Sequence, residues 1–427
     1  MISQTPPGPT AARHGWVQAL ATVLAGTAAM GLVAALGLWA AGAAGLPDAA
    51  FPRVAAAVVV LAVGGSVDLS GDAGVFAGTR AELTVVPLSV TLTGVLVIGA
   101  GFLRPLRHRA LTSPAGTAGW AARIAAVWFL ALLGLALATR QTFAVSLGDG
   151  ALGAIGDLFD ASPTVSFEAD VPLTLVLGLL WLAGVMVLAL LVSRGPAPPG
   201  RWGRFLRAVR SAAYAMAALL LAQVALGIAV GLVVAFSRGY PAETFAVILL
   251  GLPNLVWPVF TIGLGATWEG RVDGPFGLPM PHLLDEVLRT PDISALNLST
   301  LAEHDARVWW LVAVDAVLVS AAAYLAAARS PSGVRAWRHA VTTAVALALT
   351  VLVICLAARL SARYGLSLLG LGDVGGGLSG TVLLRPRWGT ALGFALLWGL
   401  VAGFAAGAAA RRLRRRNRPE DGRTPGA

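Results

Sequence analysis

The chain is expected to fold as an all-α polytopic transmembrane helix bundle, a duplicated parallel four-span repeat with a short broken or re-entrant segment in each half. Three observations carry that expectation. Hydrophobic residues make up 57% of the 427 positions and charged residues only 12%, about half the roughly 25% of a soluble domain, and the mean hydropathy is +0.79. Eight apolar stretches are long enough to cross about 30 Å of hydrocarbon. Landmark residues of the first half also return at constant offsets in the second. The composition excludes a water-soluble globule and a disordered chain, and the 51 Gly follow no three-residue period, which excludes collagen.

Taken in order, the polar segment 1–15 reads as a cytoplasmic N-terminal segment. The apolar run 16–40 is longer than the h-region of a signal peptide and reads as a retained first span. Further spans are expected at 83–103, 119–139, 172–193, 211–236, 307–328, 339–358 and 389–410. Two stretches are compromised. Val54 to Val63 stops at Gly64-Gly65, and ten to twelve helical residues reach only about 18 Å. Phe245 to Gly265 has the length, but Pro253-Asn254 and Pro258 interrupt its hydrogen bonding.

Charge sets the topology. All 31 basic residues are Arg, and short cytoplasmic loops collect such residues. The basic segments are Arg104 to Arg109, Arg194 to Arg210, Arg329 to Arg338 and the tail Arg411 to Arg418. Eight crossings with a cytoplasmic N-terminus put all four on the cytoplasmic side, whereas ten crossings put at least two outside. Eight spans with two re-entrant or partly inserted segments is preferred; ten full spans is the alternative.

The duplication rests on two sets of matches. Gly37, Gly45, Pro47 and Phe51 return 194 positions later as Gly231, Gly239, Pro241 and Phe245, and Trp120, Trp181 and Arg194 return 217 positions later as Trp337, Trp398 and Arg411. Leu147-Gly148-Asp149 also returns as Leu371-Gly372-Asp373. An even number of crossings per half makes the repeats parallel. The divisions are 16–200 for the first repeat, 201–410 for the second, and 411–427 for a cytoplasmic Arg-rich tail.

Few residues suggest chemistry. Asp315 lies about eight residues inside an apolar run, where an ionisable group costs several kcal/mol unless paired or hydrated. It is a pathway or proton-relay candidate, or else a bonded residue near the exterior end. Pro253, Asn254 and Pro258 could unwind a helix at membrane depth and offer carbonyls and an amide to an ion or polar solute, or could be a packed kink. Gly64 and Gly65 mark the equivalent break. Asp149 and Asp373 each supply one carboxylate in a Gly-rich loop, fewer oxygens than calcium needs, and read as turns. Glu303-His304-Asp305 reads as the water boundary. The single Cys355 and five His in no ligand spacing give no metal site. No cofactor loop and no catalytic set is found, so no enzyme activity is expected. The Arg-rich segments next to spans fit anionic lipid headgroups as partner, not nucleic acid.

An Arg-only, Ala/Gly/Leu-rich chain with Leu252-Pro253-Asn254-Leu255-Val256-Trp257, Gly263 to Trp268 after it, and a Trp-anchored repeat resembles the streptophobe family of actinobacterial multi-pass membrane proteins. The resemblance implies residence in a bacterial plasma membrane over nearly the whole chain and no established reaction, substrate or site residue. The functional expectation is a transport or permeation role with Asp315 or Asn254 lining a route. The alternative is a non-transporting scaffold or regulator of envelope processes, and an intramembrane enzyme comes last.

Overall fold

The computed structural model describes residues 9–45, 50–72, 77–107, 114–139, 141–144, 164–193, 201–239, 241–272, 294–330, 335–368 and 380–416. The first half contains helices α1 (Pro9–Ala40), α2 (Ala50–Ala62), α3 (Leu88–Arg107), α4 (Pro114–Ala138) and α5 (Val171–Val192). The second contains α6 (Arg201–Arg238), α7 (Pro241–Gly263), the short α8 (Leu298–His304), α9 (Trp310–Arg329), α10 (Ala336–Ala357) and α11 (Trp388–Arg416). Among the described residues nine helices are long and apolar enough to cross a membrane, all of these except α2 and α8, and the chain is a multi-pass membrane protein. Its outer helix faces are those of a lipid-embedded bundle: Leu130, Leu180, Val233, Phe236 and Val401 are exposed, where a soluble protein rarely leaves a large contiguous apolar surface.

The all-α expectation describes the bundle and misses a sheet. Eight strands, β1 (Val67–Asp72), β2 (Ala77–Thr84), β3 (Gln141–Ala144), β4 (Thr164–Ala169), β5 (Trp268–Val272), β6 (Ser294–Leu296), β7 (Leu360–Leu368) and β8 (Gly380–Pro386), form one sheet. Its order is β3-β4-β1-β2-β7-β8-β5-β6, with every described pairing antiparallel. The two halves meet where β2 pairs with β7 from Ala77↔Leu368 to Thr84↔Ser361. The signal was present in the sequence. Leu360, Ala362, Tyr364, Leu366 and Leu368 alternate with Ser361, Arg363, Gly365 and Ser367, the period of a strand with two unlike faces.

The sheet caps one end of the bundle, because its strands join helix ends through very short links. Only Asp170 separates β4 from α5, and only Arg387 separates β8 from α11. The opposite end holds the helix boundaries at Arg107, Arg201, Arg329 and Arg416. There the Ser211 and Ser330 hydroxyls lie 3.1 Å apart, and the Arg329 guanidinium stacks 3.4 Å over the Tyr214 ring, tying the start of α6 to the end of α9 and making those two helices antiparallel.

Packing inside the bundle follows from small residues and satisfied indoles. Trp128 donates to the Gly178 carbonyl at 3.0 Å and stacks on Trp181 at 5.4 Å between centroids. The Trp128 indole N–H thereby finds an acceptor at a depth where an unmade bond is costly. Gly399, Gly403 and Gly407 recur every fourth residue on α11. A methyl group on any of them would meet the α10 backbone at Ala344, Ala340 or Ala336, so the two helices approach at backbone contact.

Candidate functional site

The break in α7 is real, and it is filled. Pro253 has no N–H and its ring crowds the carbonyl four residues back, and Gly251 just before it leaves helical geometry at φ −141°, ψ 16°. Ser89 of α3 repairs the ladder: its hydroxyl accepts from Leu252 N at 3.2 Å and donates to the Ile248 carbonyl at 2.8 Å, bridging the two groups a regular helix would have joined directly. Asn254 is engaged at both ends. Its Oδ1 accepts from Leu88 N at 3.0 Å and its Nδ2 donates to the Val86 carbonyl at 2.8 Å, which satisfies the start of α3. Pro258 is buried, and its carbonyl accepts from the Thr261 hydroxyl at 2.8 Å.

Both short elements end in the same turn. Gly64 has φ 92° and Gly265 has φ 110°, a left-handed conformation open mainly to glycine. In α2 the N–H of Gly64 reaches the Leu61 carbonyl and that of Gly65 reaches the Val60 carbonyl; in α7 the N–H of Gly265 reaches Ile262 and that of Ala266 reaches Thr261. Each pair of bonds is a Schellman cap. Gly65 is therefore the residue after the turn, packed against Val60 and the Thr174 hydroxyl. The α7 turn lies within the bundle. Leu264 accepts from Trp398 at 3.0 Å, ten residues or about 15 Å into α11, while Thr267 is already back at Thr390 and Arg387 near the start of that helix.

Asp315 sits beside that buried end. It lies five residues into α9, is 5% exposed, and its carboxylate occupies the place where Gly263 would carry a side chain. Its Oδ2 has no hydrogen-bond partner among the described residues. Gln223 of α6, 3% exposed, likewise has neither amide atom partnered. Gln223 is the residue that sequence reading misses; as an amide in the middle of the 211–236 span it obeys the same logic as Asp315. At the end of α2 the Thr91 hydroxyl donates to the carbonyl of Ala62, the last residue of that helix, at 2.6 Å.

Elsewhere polar residues stabilise structure. Asp170 caps α5 by accepting from Leu173 N at 3.0 Å, and Asp305, with Glu303 and His304 just before it, accepts from Arg307 N at 2.9 Å. Glu269 accepts from Arg385 at 2.9 Å and Arg387 at 3.0 Å across β5 and β8. The Arg387 and then Arg385 hydrogen bonds hold its carboxyl below the usual range. Asp149 and Asp373 lie outside the described residues. Among the described residues no group of three or more His, Cys, Asp or Glu could hold a metal ion. Comparison with protein-family models, with curated proteins and with solved structures finds no match.

Proposed function

We propose that this membrane protein has a transport or permeation role, with Asp315 on the route. One observation carries the reading: a carboxylate and an amide are both buried without hydrogen-bond partners in lipid-embedded helices, beside a helix that stops inside the bundle. Leaving one buried polar group unpaired costs about 1–3 kcal/mol, and a charge costs more, so such groups persist where they meet a solute. The halves 16–200 and 201–410 are parallel repeats. Supporting this, the strand order runs β3-β4-β1-β2 and then β7-β8-β5-β6, and the two Schellman turns are alike. The element α7 is re-entrant: it begins where α6 arrives from the Arg-rich end and returns to the sheet through Gly265. The α2 segment is its shorter counterpart, leaving eight crossings.

In this reading the Arg-rich end, both termini included, faces the cytoplasm of a bacterial plasma membrane and touches anionic headgroups, and the sheet faces outward. The chain is a member of the streptophobe family and works without a catalytic centre. A second reading has its own support. Asn254 is fully occupied in joining α7 to α3, and the single sheet spanning both halves suits a scaffold for envelope proteins. Flux decides between them. Liposomes carrying the wild-type chain should dissipate an imposed sodium or proton gradient faster than empty liposomes, and Asp315→Asn should return the rate to that of empty ones. Wild-type vesicles as tight as empty ones would leave the scaffold.

A further inference from the structure

Gln223 stands in the middle of α6 and is buried, and among the described residues neither its amide oxygen nor its amide nitrogen has a hydrogen-bond partner. The other polar side chains near the α7 break are occupied. Asn254 is bonded at both ends to the start of α3, and the Ser89 hydroxyl both accepts and donates. Neither 215–237 of α6 nor 244–263 of α7 contains an ionisable side chain, so no charged neighbour on those two helices serves the amide.

Contacts on either side of Gln223 fix what it faces. Leu220, Gln223 and Gly227 follow the three- and four-residue spacing of one helix face. On the N-terminal side the Trp257 indole reaches the Leu220 carbonyl, and on the C-terminal side Gly227 meets Leu252 and Val256. Gln223 therefore lies between two contacts with the same stretch of α7, 252–257. Helix carbonyls point toward the residue four further on, and helix side chains lean toward the N-terminus. The Leu220 carbonyl, the Trp257 indole N–H and the Gln223 amide thus share one level of the seam between α6 and α7. The indole bond is stretched, 3.5 Å against about 2.7–3.2 Å for a well-made N–H···O bond. Trp257 is itself buried, so its N–H is a second under-used polar group at that level.

We infer that Gln223 and Trp257 hold a resident water molecule between α6 and α7. The bonding pattern selects it. Gln223 Nε2 and the Trp257 indole each bring a donor, and Gln223 Oε1 and the second lone pair of the Leu220 carbonyl each bring an acceptor. The guest must accept and donate without carrying charge. Water does both, with the three or so bonds usual for a buried water. Ammonia accepts only once, and a metal cation or an anion serves one half of the set. The site goes beyond the transport reading and does not depend on it, because a water can be built into a fold that carries nothing.

The test uses the full-length protein in lipid nanodiscs with isotope-labelled tryptophan indoles. The Trp257 signal, identified by its loss in Trp257→Phe, should exchange magnetisation with water protons. Gln223→Leu should abolish that exchange while leaving the signal of Trp128, bonded directly to the Gly178 carbonyl, in place. A density map fine enough to resolve waters should show one within hydrogen-bond distance of both side chains, which answers the question in wild type if Gln223→Leu does not fold. Absence of exchange at Trp257, absence of that density, or exchange unaltered by Gln223→Leu overturns the site. Osmotic shrinkage of liposomes separates a resident water from a passing one. Liposomes carrying wild type should shrink no faster than empty ones; faster shrinkage that Gln223→Leu removes would overturn residence and make the water a permeating one.

Discussion

At the scale of single residues, Ser89 shows how a broken helix is tolerated. Its hydroxyl substitutes for the bond that the Gly251 kink removes, serving one donor and one acceptor at once. Ser89→Ala leaves the Leu252 N–H and the Ile248 carbonyl unpaired, and should cost about 1–3 kcal/mol, measured as loss of melting temperature. Ser89→Thr keeps the hydroxyl and should retain most of the stability. Sequence reasoning located the break from Pro253 and Pro258, because the missing donor is a property of those residues alone. It could not find Ser89, which lies 163 positions from Leu252 and becomes a partner only through folding. Asn254 shows the same limit: its residue type announces a polar role, while the α3 backbone it caps is visible only in the assembled chain.

At the scale of elements, helix lengths were legible because a hydrocarbon layer imposes them, and strands were obscured by the apolar bulk around them. The short alternating runs at β2 and β7 carry a period of two, but Gly, Ser and Arg within them also read as loop. The α10 and α11 pair makes the packing rule testable. Gly403 faces the backbone at His339 and Ala340, whereas Gly389 and Gly393 on the same helix face open space. Gly403→Leu should separate the helices and destabilise by at least about 2 kcal/mol, and Gly393→Leu should melt within about 0.5 kcal/mol of wild type. Equal losses at both positions would mean that intrinsic helix propensity, not close approach, governs the glycines.

For the whole molecule, charge and sheet lie at opposite ends, and this polarity follows from chain order: strands join helix ends directly, and Arg-rich boundaries join the others. A cysteine at Ala295 of β6, in a Cys355→Ser background, should react with an impermeant reagent added outside intact cells. A cysteine at Arg335 should react only after permeabilisation. Labelling of both from outside, or of Arg335→Cys alone, would reverse or discard the orientation. The apolar runs made the multi-pass organisation readable in advance, whereas the contact of the Asp315 carboxylate with Gly263 of α7 and that of the Thr91 hydroxyl with the end of α2 emerge only in the folded chain.

The pairing of β2 with β7 sets an order on biogenesis. Residues 77–84 are synthesised long before 360–368, so a ribosome delivering this chain to the translocation machinery leaves one flank of the early sheet unzipped until the second half is threaded through. Short terminal strands of four and three residues, β3 and β6, bound the finished sheet, but that inner flank has only its late partner to close it. Premature termination after residue 330 would release a membrane-inserted fragment with a sticky strand, a substrate for quality-control proteolysis.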